Sequence, residues 1–218
     1  MARILLINPN TSPRSTEMML AVARPLLPAG VILRGLAASA GAPMIVDEAG
    51  LAAGAAEVVR IGMAEAANAD AIVVAAFGDP GVAALRAALA IPVVGIGEAA
   101  MREAAAAGRR FGIATTTPLL VRSIEVCVRG LGLSGRFTGV RVPPGDPLTF
   151  AADPGRQEAA LAAAATACIE VDGAEAIIIG GGPLSDTAVR LRRRFGDAIV
   201  EPVPAAMRAV FRRVGGGG

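Results

Sequence analysis

The chain has 218 residues, 54% hydrophobic and 18% charged, which excludes a disordered chain and supplies a substantial core. Its 21 basic residues are all arginine and face 19 acidic ones, so a net charge of +2 leaves no electrostatic footprint for nucleic acid. Histidine and lysine are absent and only two cysteines occur, which rules out imidazole bases and metal ligands, Schiff bases, P-loop lysines and a disulfide framework. No apolar run approaches the roughly 18 residues of a membrane span. The amino terminus enters a strand-like ILLI without a signal-peptide pattern, so the expectation is a cytoplasmic protein with no membrane association.

The first predicted strand, 3–7, opens into INPNTSPRST. Asn8 and Asn10 end it, and Thr11, Ser12 and Ser15 lead into a helix over 15–26 with Ser15 as its N-cap. Such amides and hydroxyls are ordinary turn formers, yet they also make a neutral wall that can cradle a carboxylate or polarise an imide carbonyl. A strand at 31–35 and a helix at 50–68 follow. The strand at 71–75 lacks polar alternation, as expected where both faces are covered. It runs into Phe77, Gly78, Asp79, Pro80 and Gly81, a turn that sets Asp79 at the mouth of a cleft. There the carboxylate either anchors an Asx-turn or meets a substrate N–H.

After a helix at 82–89 and a strand at 93–95, GIGEAA fits G-x-G-x-x-A and places Glu98 near the cleft. A dinucleotide site would need a full helix and then a strand ending in an acid. Here a short helix, 99–107, precedes a strand, 111–114, that ends in Thr115, Thr116 and Thr117. Pro118 suits the first position of a helix over 118–130. Capping needs one hydroxyl, which leaves two for ligand oxygens. Cys127 in that helix and Cys168 in the helix at 156–172, beyond a strand at 136–141, fall on apolar stripes and read as inert core thiols. The strand at 176–179 ends in Gly180, Gly181, Gly182 and Pro183, and the N–H groups of the three glycines offer an oxyanion nest. Ser185 and Asp186 read as caps of a helix at 185–195, followed by a strand at 199–201 and a helix at 205–213. Arg192, Arg193, Arg194, Arg208, Arg212 and Arg213 read mainly as solvated helix faces, with a phosphate or partner patch as the alternative. Residues 215–218 read as a flexible glycine tail.

Strands alternating with helices predict an α/β fold with mainly parallel sheets. The strand-turn pieces also recur in order. ILLINPNT matches FGIATTTP at an offset of 107, DAIVVAAFGDPG matches EAIIIGGGPLSD at 105, and IPVVGIGEA matches DAIVEPVPA at 106. A duplication follows: two pseudosymmetric three-layer α/β/α lobes, 1–97 plus 201–214 and 98–200, with an active-site cleft where their strand ends face each other.

INPNTS at 7–12, FGDPG at 77–81, PVVGIGEAA at 92–100, GRRFGIATTT at 108–117 and DGAEAIIIG at 172–180 together resemble the Asp/Glu/hydantoin racemase superfamily, nearest its hydantoin and allantoin racemase branch. The resemblance implies a two-lobed protein, cofactor-independent chemistry, a small-molecule substrate with carbonyl or carboxylate oxygens, and a homo-oligomer. It also implies two catalytic cysteines on opposite faces of an acidic Cα–H, at the positions held here by Ala76 and Gly181. Neither side chain can exchange a proton.

The leading expectation is therefore a cofactor-independent enzyme opening a small cyclic imide or ureide, or cleaving a carboxylate, without thiols. Asp79 would activate water, and Thr116 with the Gly181 amide would stabilise an oxyanion. Asn8, Thr11, Ser12, Phe77, Gly78, Thr115, Thr117, Gly180, Gly182 and Pro183 would bind substrate. A racemase or isomerase with atypical proton carriers, and a non-catalytic small-molecule binding protein, are the alternatives.

Overall fold

A computed structural model describes residues 2–215. The first half contains β1 (Ala2–Asn8), α1 (Pro13–Ala23), β2 (Val31–Ala37), α2 (Glu48–Glu65), β3 (Ala71–Val74), α3 (Val82–Ala88), β4 (Val93–Gly95) and α4 (Ile96–Ala104). The second contains β5 (Phe111–Ala114), α5 (Val121–Gly130), β6 (Phe137–Arg141), α6 (Pro147–Ala152), α7 (Pro154–Glu170), β7 (Ala176–Ile179), α8 (Ser185–Phe195), β8 (Ile199–Val200) and α9 (Pro202–Gly215). All expected strands are present, with shifts at their ends. Helix α6 is additional: six residues opened by Pro147 and capped by Asp146, too short for a periodic signal. Of the expected glycine tail, residue 215 closes α9 and residues 216–218 lie outside the described residues.

The strands form two four-stranded parallel sheets, ordered β2-β1-β3-β4 and β6-β5-β7-β8. Their registers repeat. Ile4 pairs with Ala71 in one sheet, and Phe111 with Ala176 in the other, at the offsets of 107 and 105 read from the sequence. The two sheets are copies of one plan.

Side chains alternate across the first sheet with the period of two that a strand imposes. Leu5, Ile7, Ile72 and Val74 pack outward under α2 and α3. Ile4, Leu6, Ala71 and Val73 face inward and join Phe111, Ile113, Ala176 and Ile178 of the second sheet in one continuous core. A third cluster lies under α7 and α8. The lobes thus share a core layer instead of meeting at a wet interface, and each large buried aliphatic side chain contributes ~1.5–3 kcal/mol.

Helices α4 and α9 occupy the centre of that layer. Each follows the last strand of its own sheet and crosses to the other: α4 contacts β7 and β8, while α9 contacts β3 and β4. They also pack on each other, Arg208 of α9 pairing with Glu103 of α4, and each carries the sequence AAMR, Ala99 to Arg102 and Ala205 to Arg208, whose alanines and methionines are buried.

Candidate active site

The carboxyl ends of β1, β3, β5 and β7 converge on a pocket of about 550 Å³, counting its open mouth. Phe77, Thr115, Thr116, Thr117, Gly180, Gly181, Gly182 and Pro183 all line it, as do Asn10 and Ala76. Residues far apart in sequence therefore meet because the duplicated strands end face to face.

Only some of the polar groups are free. Thr115 Oγ1 donates to Gly180 O at 2.7 Å, and Thr117 Oγ1 lies 3.1 Å from Thr115 Oγ1. With the Thr115 proton directed at Gly180, Thr117 donates to Thr115, and these two hydroxyls knit β5 to β7. Thr116 differs. Its Oγ1 is buried and has no hydrogen-bond partner among the described residues. Leaving a buried hydroxyl unpaired costs about 1–3 kcal/mol, so a water or a ligand atom reaching Thr116 Oγ1 would be held there.

The glycine run also divides by role. The Gly180 N–H is taken by Ala114 O at 2.8 Å, so it is unavailable to an oxyanion. A Cβ at Gly182 would sit 2.6 Å from Ala75 O of the opposite lobe, so close approach requires glycine there. Gly181 has extended backbone at φ 164°, which any residue adopts, and the nearest atoms to a Cβ there belong to the Leu184 side chain, at 3.0 Å. Nothing in the backbone demands glycine at 181.

Five expected site residues fall outside the lining. Asn8 Nδ2 donates to Asn10 Oδ1 (2.8 Å), Thr16 Oγ1 (2.9 Å) and Ser12 O (3.3 Å), so Asn8 shapes the loop from beneath. Asn10 Oδ1 also accepts from Ser12 N, leaving its Nδ2 as the group free for a ligand. Ser12, not Ser15, caps α1 by accepting from Ser15 N at 3.2 Å. Thr11 donates its backbone N–H to Ala42 O. Gly78 faces a separate groove between α2 and α5.

Asp79 is the fifth, and the largest departure from expectation. The residue is only partly buried, but its carboxylate is turned inward. It accepts from Gly97 N (2.8 Å) and Glu98 N (2.5 Å) at the start of α4. A Cβ at Gly95 would lie 2.2 Å from the Asp79 carboxyl carbon, which explains the glycine of the GIG sequence. The carboxylate thus caps a distant helix instead of standing at the cleft mouth. Burial pushes it up to about 7, against the downward pull of the two N–H donors. Helix α9 solves the same problem differently, since Pro202 and Pro204 have no N–H to satisfy. Glu98 points away from the pocket and is shared by Arg86 and Arg102. The expected caps of α8 also differ: Ser185 Oγ donates to Gly182 O at 2.7 Å, and Asp186 pairs with Arg190.

Neither thiol lines the pocket. Cys168 is buried in the outer core as expected. Cys127 is only half-buried, on the groove between α2 and α5 with its Sγ 4.0 Å from Gly78 O, so its stripe is less enclosed than the sequence suggested. Met44, Ile45, Leu51, Ala75, Leu120, Ile124 and Leu184 complete the pocket and escaped the sequence reading. The apolar MIV at 44–46, after the small-residue stretch ASAGAP at 38–43, is the signal that would have found the first two.

A pocket of hydroxyls, amides and apolar walls, shared between duplicated halves, defines a two-lobed α/β protein with an interlobe cleft. The chain belongs to the Asp/Glu/hydantoin racemase family, which it matches over residues 4–210. It is 31% identical to the hydantoin racemase of Paenarthrobacter aurescens, over 94% of this chain and 88% of that one. Its structure is similar to the allantoin racemase from Klebsiella pneumoniae, with TM-score 0.93 and 30% identity over 100% of this chain and 89% of that one. The allantoin racemase from Pseudomonas fluorescens gives a TM-score of 0.90 and 31% identity, over 98% and 92%. These likenesses support an enzyme of the general racemase and isomerase kind. No helix among the described residues is long and apolar enough to cross a membrane.

Proposed function

We propose that the protein is an isomerase-type enzyme that promotes loss and return of an acidic Cα–H on a small cyclic imide or ureide of the hydantoin class, with water carrying the proton. The observation that carries this reading is the buried, unpartnered Thr116 hydroxyl in a pocket whose lining has no titratable side chain. A ring carbonyl placed on Thr116 Oγ1 would be polarised in a largely apolar setting, where one donor stabilises a developing enolate far more than it would in water. Asn10 Nδ2 supplies a second donor. No arginine lines the pocket, which favours an uncharged ring over a carboxylate. The names of the related racemases support the same ring class.

Ala76 and Gly181 come from opposite lobes and both line the pocket. If the family resemblance is carried across, they flank the reacting carbon, and their small size leaves room for water at either face. Ring opening with Asp79 as base has less support, because the Asp79 carboxylate is engaged by Gly97 and Glu98. A binding protein without turnover is the second reading, favoured by the same absence of a side-chain proton carrier. The test is incubation of an enantiopure 5-substituted hydantoin in D₂O, followed by polarimetry and NMR. Loss of optical rotation with deuterium at C5 is the expected result. Saturable binding without exchange would favour the binding protein, and ring opening without exchange would favour hydrolysis.

A further inference from the structure

A second cleft, of about 890 Å³ with its open side, lies between α3, α4 and α9, apart from the interlobe pocket. Arg86, Arg102, Arg212 and Arg213 line it, with Glu98 and Glu103. The charges do not balance. Arg86 and Arg102 share the single carboxylate of Glu98, at 2.8 and 2.9 Å. Glu103 is held by Arg208 at 2.6 Å. Among the described residues, no carboxylate forms an ion pair with Arg212 or Arg213. Two guanidiniums even converge on one carbonyl: Arg86 Nε and Arg213 Nη1 reach Val93 O at 2.9 and 3.2 Å.

Covering the exposed carbonyl of an edge strand is an ordinary duty for arginine. The duplicated half shows what that duty requires. Arg192, 106 positions after Arg86, donates to Ile199 O at 2.7 Å, 106 positions after Val93. It does so alone, and it meets two carboxylates, Asp197 at 2.5 Å and Glu201 at 3.5 Å. One arginine covers the edge there, with its charge more than offset. In the first half Arg86 gives the same cover, Arg213 joins it on the carbonyl, and Arg102 and Arg212 line the cleft beside them. The duplication therefore separates the structural part of the arrangement from a surplus of positive charge.

We propose that this cleft is a binding site for a phosphate-class dianion, recognised by Arg212, Arg213 and the outer faces of Arg86 and Arg102. Guanidinium groups suit this ligand because each presents two parallel N–H donors to two oxygens. The site is carried by α4, whose N-terminus holds Asp79, and by α9, so an occupant would brace the two crossing helices.

Isothermal titration with inorganic phosphate, against chloride at equal ionic strength, tests the site in the full chain. A parallel titration with glycerol 3-phosphate distinguishes free phosphate from a phosphate monoester as the preferred form. Saturable binding at one site per chain is expected, weakened about tenfold by Arg212→Ala and abolished by Arg212→Glu. Arg192→Ala should leave it unchanged. Arg212 is exposed, so these variants should fold, and circular dichroism checks that they do. Heat that tracks ionic strength alone, or an affinity indifferent to Arg212→Glu, would overturn the assignment.

Discussion

Replacing Asp79 by asparagine separates a helix cap from a catalytic base. The carboxylate accepts from Gly97 N and Glu98 N, and burial raises it from 3.8 to about 7. Between pH 5 and pH 7 the folded chain therefore holds a proton that the unfolded chain has released, so stability falls as pH rises. Integrating that difference gives a loss of about 2 kcal/mol across this window. Asparagine cannot ionise. It keeps one of the two N–H bonds and should cost about 1 kcal/mol at pH 5, while erasing the dependence that belongs to Asp79. Urea denaturation of both proteins at half-unit steps from pH 5 to pH 8 reads the difference in slope. Parallel slopes would refute the raised carboxyl. Loss of C5 exchange in a folded Asp79→Asn protein would refute the capping role and restore Asp79 as base.

Thr116→Val should leave stability unchanged or raise it by up to about 1 kcal/mol, because the hydroxyl has no partner to lose, while hydantoin affinity falls about tenfold. Equal affinity by titration would remove Thr116 from the site. Gly182→Ala drives a methyl into Ala75 O and should destabilise by ~2 kcal/mol or more, whereas Gly181→Ala should cost under ~1 kcal/mol. Equal melting temperatures for the two variants would contradict the difference seen in backbone and packing. Burial pushes the Cys168 thiol up to about 11 and also raises Cys127, so both stay protonated near neutrality. Iodoacetamide at pH 7.5 should leave exchange intact, and rapid loss in a still-folded protein would make a thiol part of the reaction.

The parallel fold was legible because its central strands are short unbroken apolar runs, and the duplication because their offsets agree within two residues. The eight pocket residues at the ends of β3, β5 and β7 followed from those strand ends. What escaped was non-local. Helix α4 starts at Ile96, three residues before the predicted position, because its cap comes from Asp79, 17 positions upstream of Ile96. No local N-cap marks such a start. The FGDPG turn gave the position of Asp79 but not its direction, which is set by the space above Gly95. Thr115, Thr116 and Thr117 were alike in sequence. Only their partners separate two structural hydroxyls from a free one. Ser12 and Ser15 were both acceptable caps, and Pro13 at the first helical turn favours Ser12.

The most direct measurement compares deuterium incorporation at C5 of an enantiopure hydantoin by the native chain and by the Ala76→Cys, Gly181→Cys double variant. Water as proton carrier predicts slow exchange in the native protein that rises with pH and ignores iodoacetamide. It also predicts faster exchange in the double variant, by about 10²-fold or more, and sensitivity to alkylation. If the native protein exchanges rapidly with a plateau in pH, or the two thiols bring no gain in a folded variant, the proposed proton path is wrong.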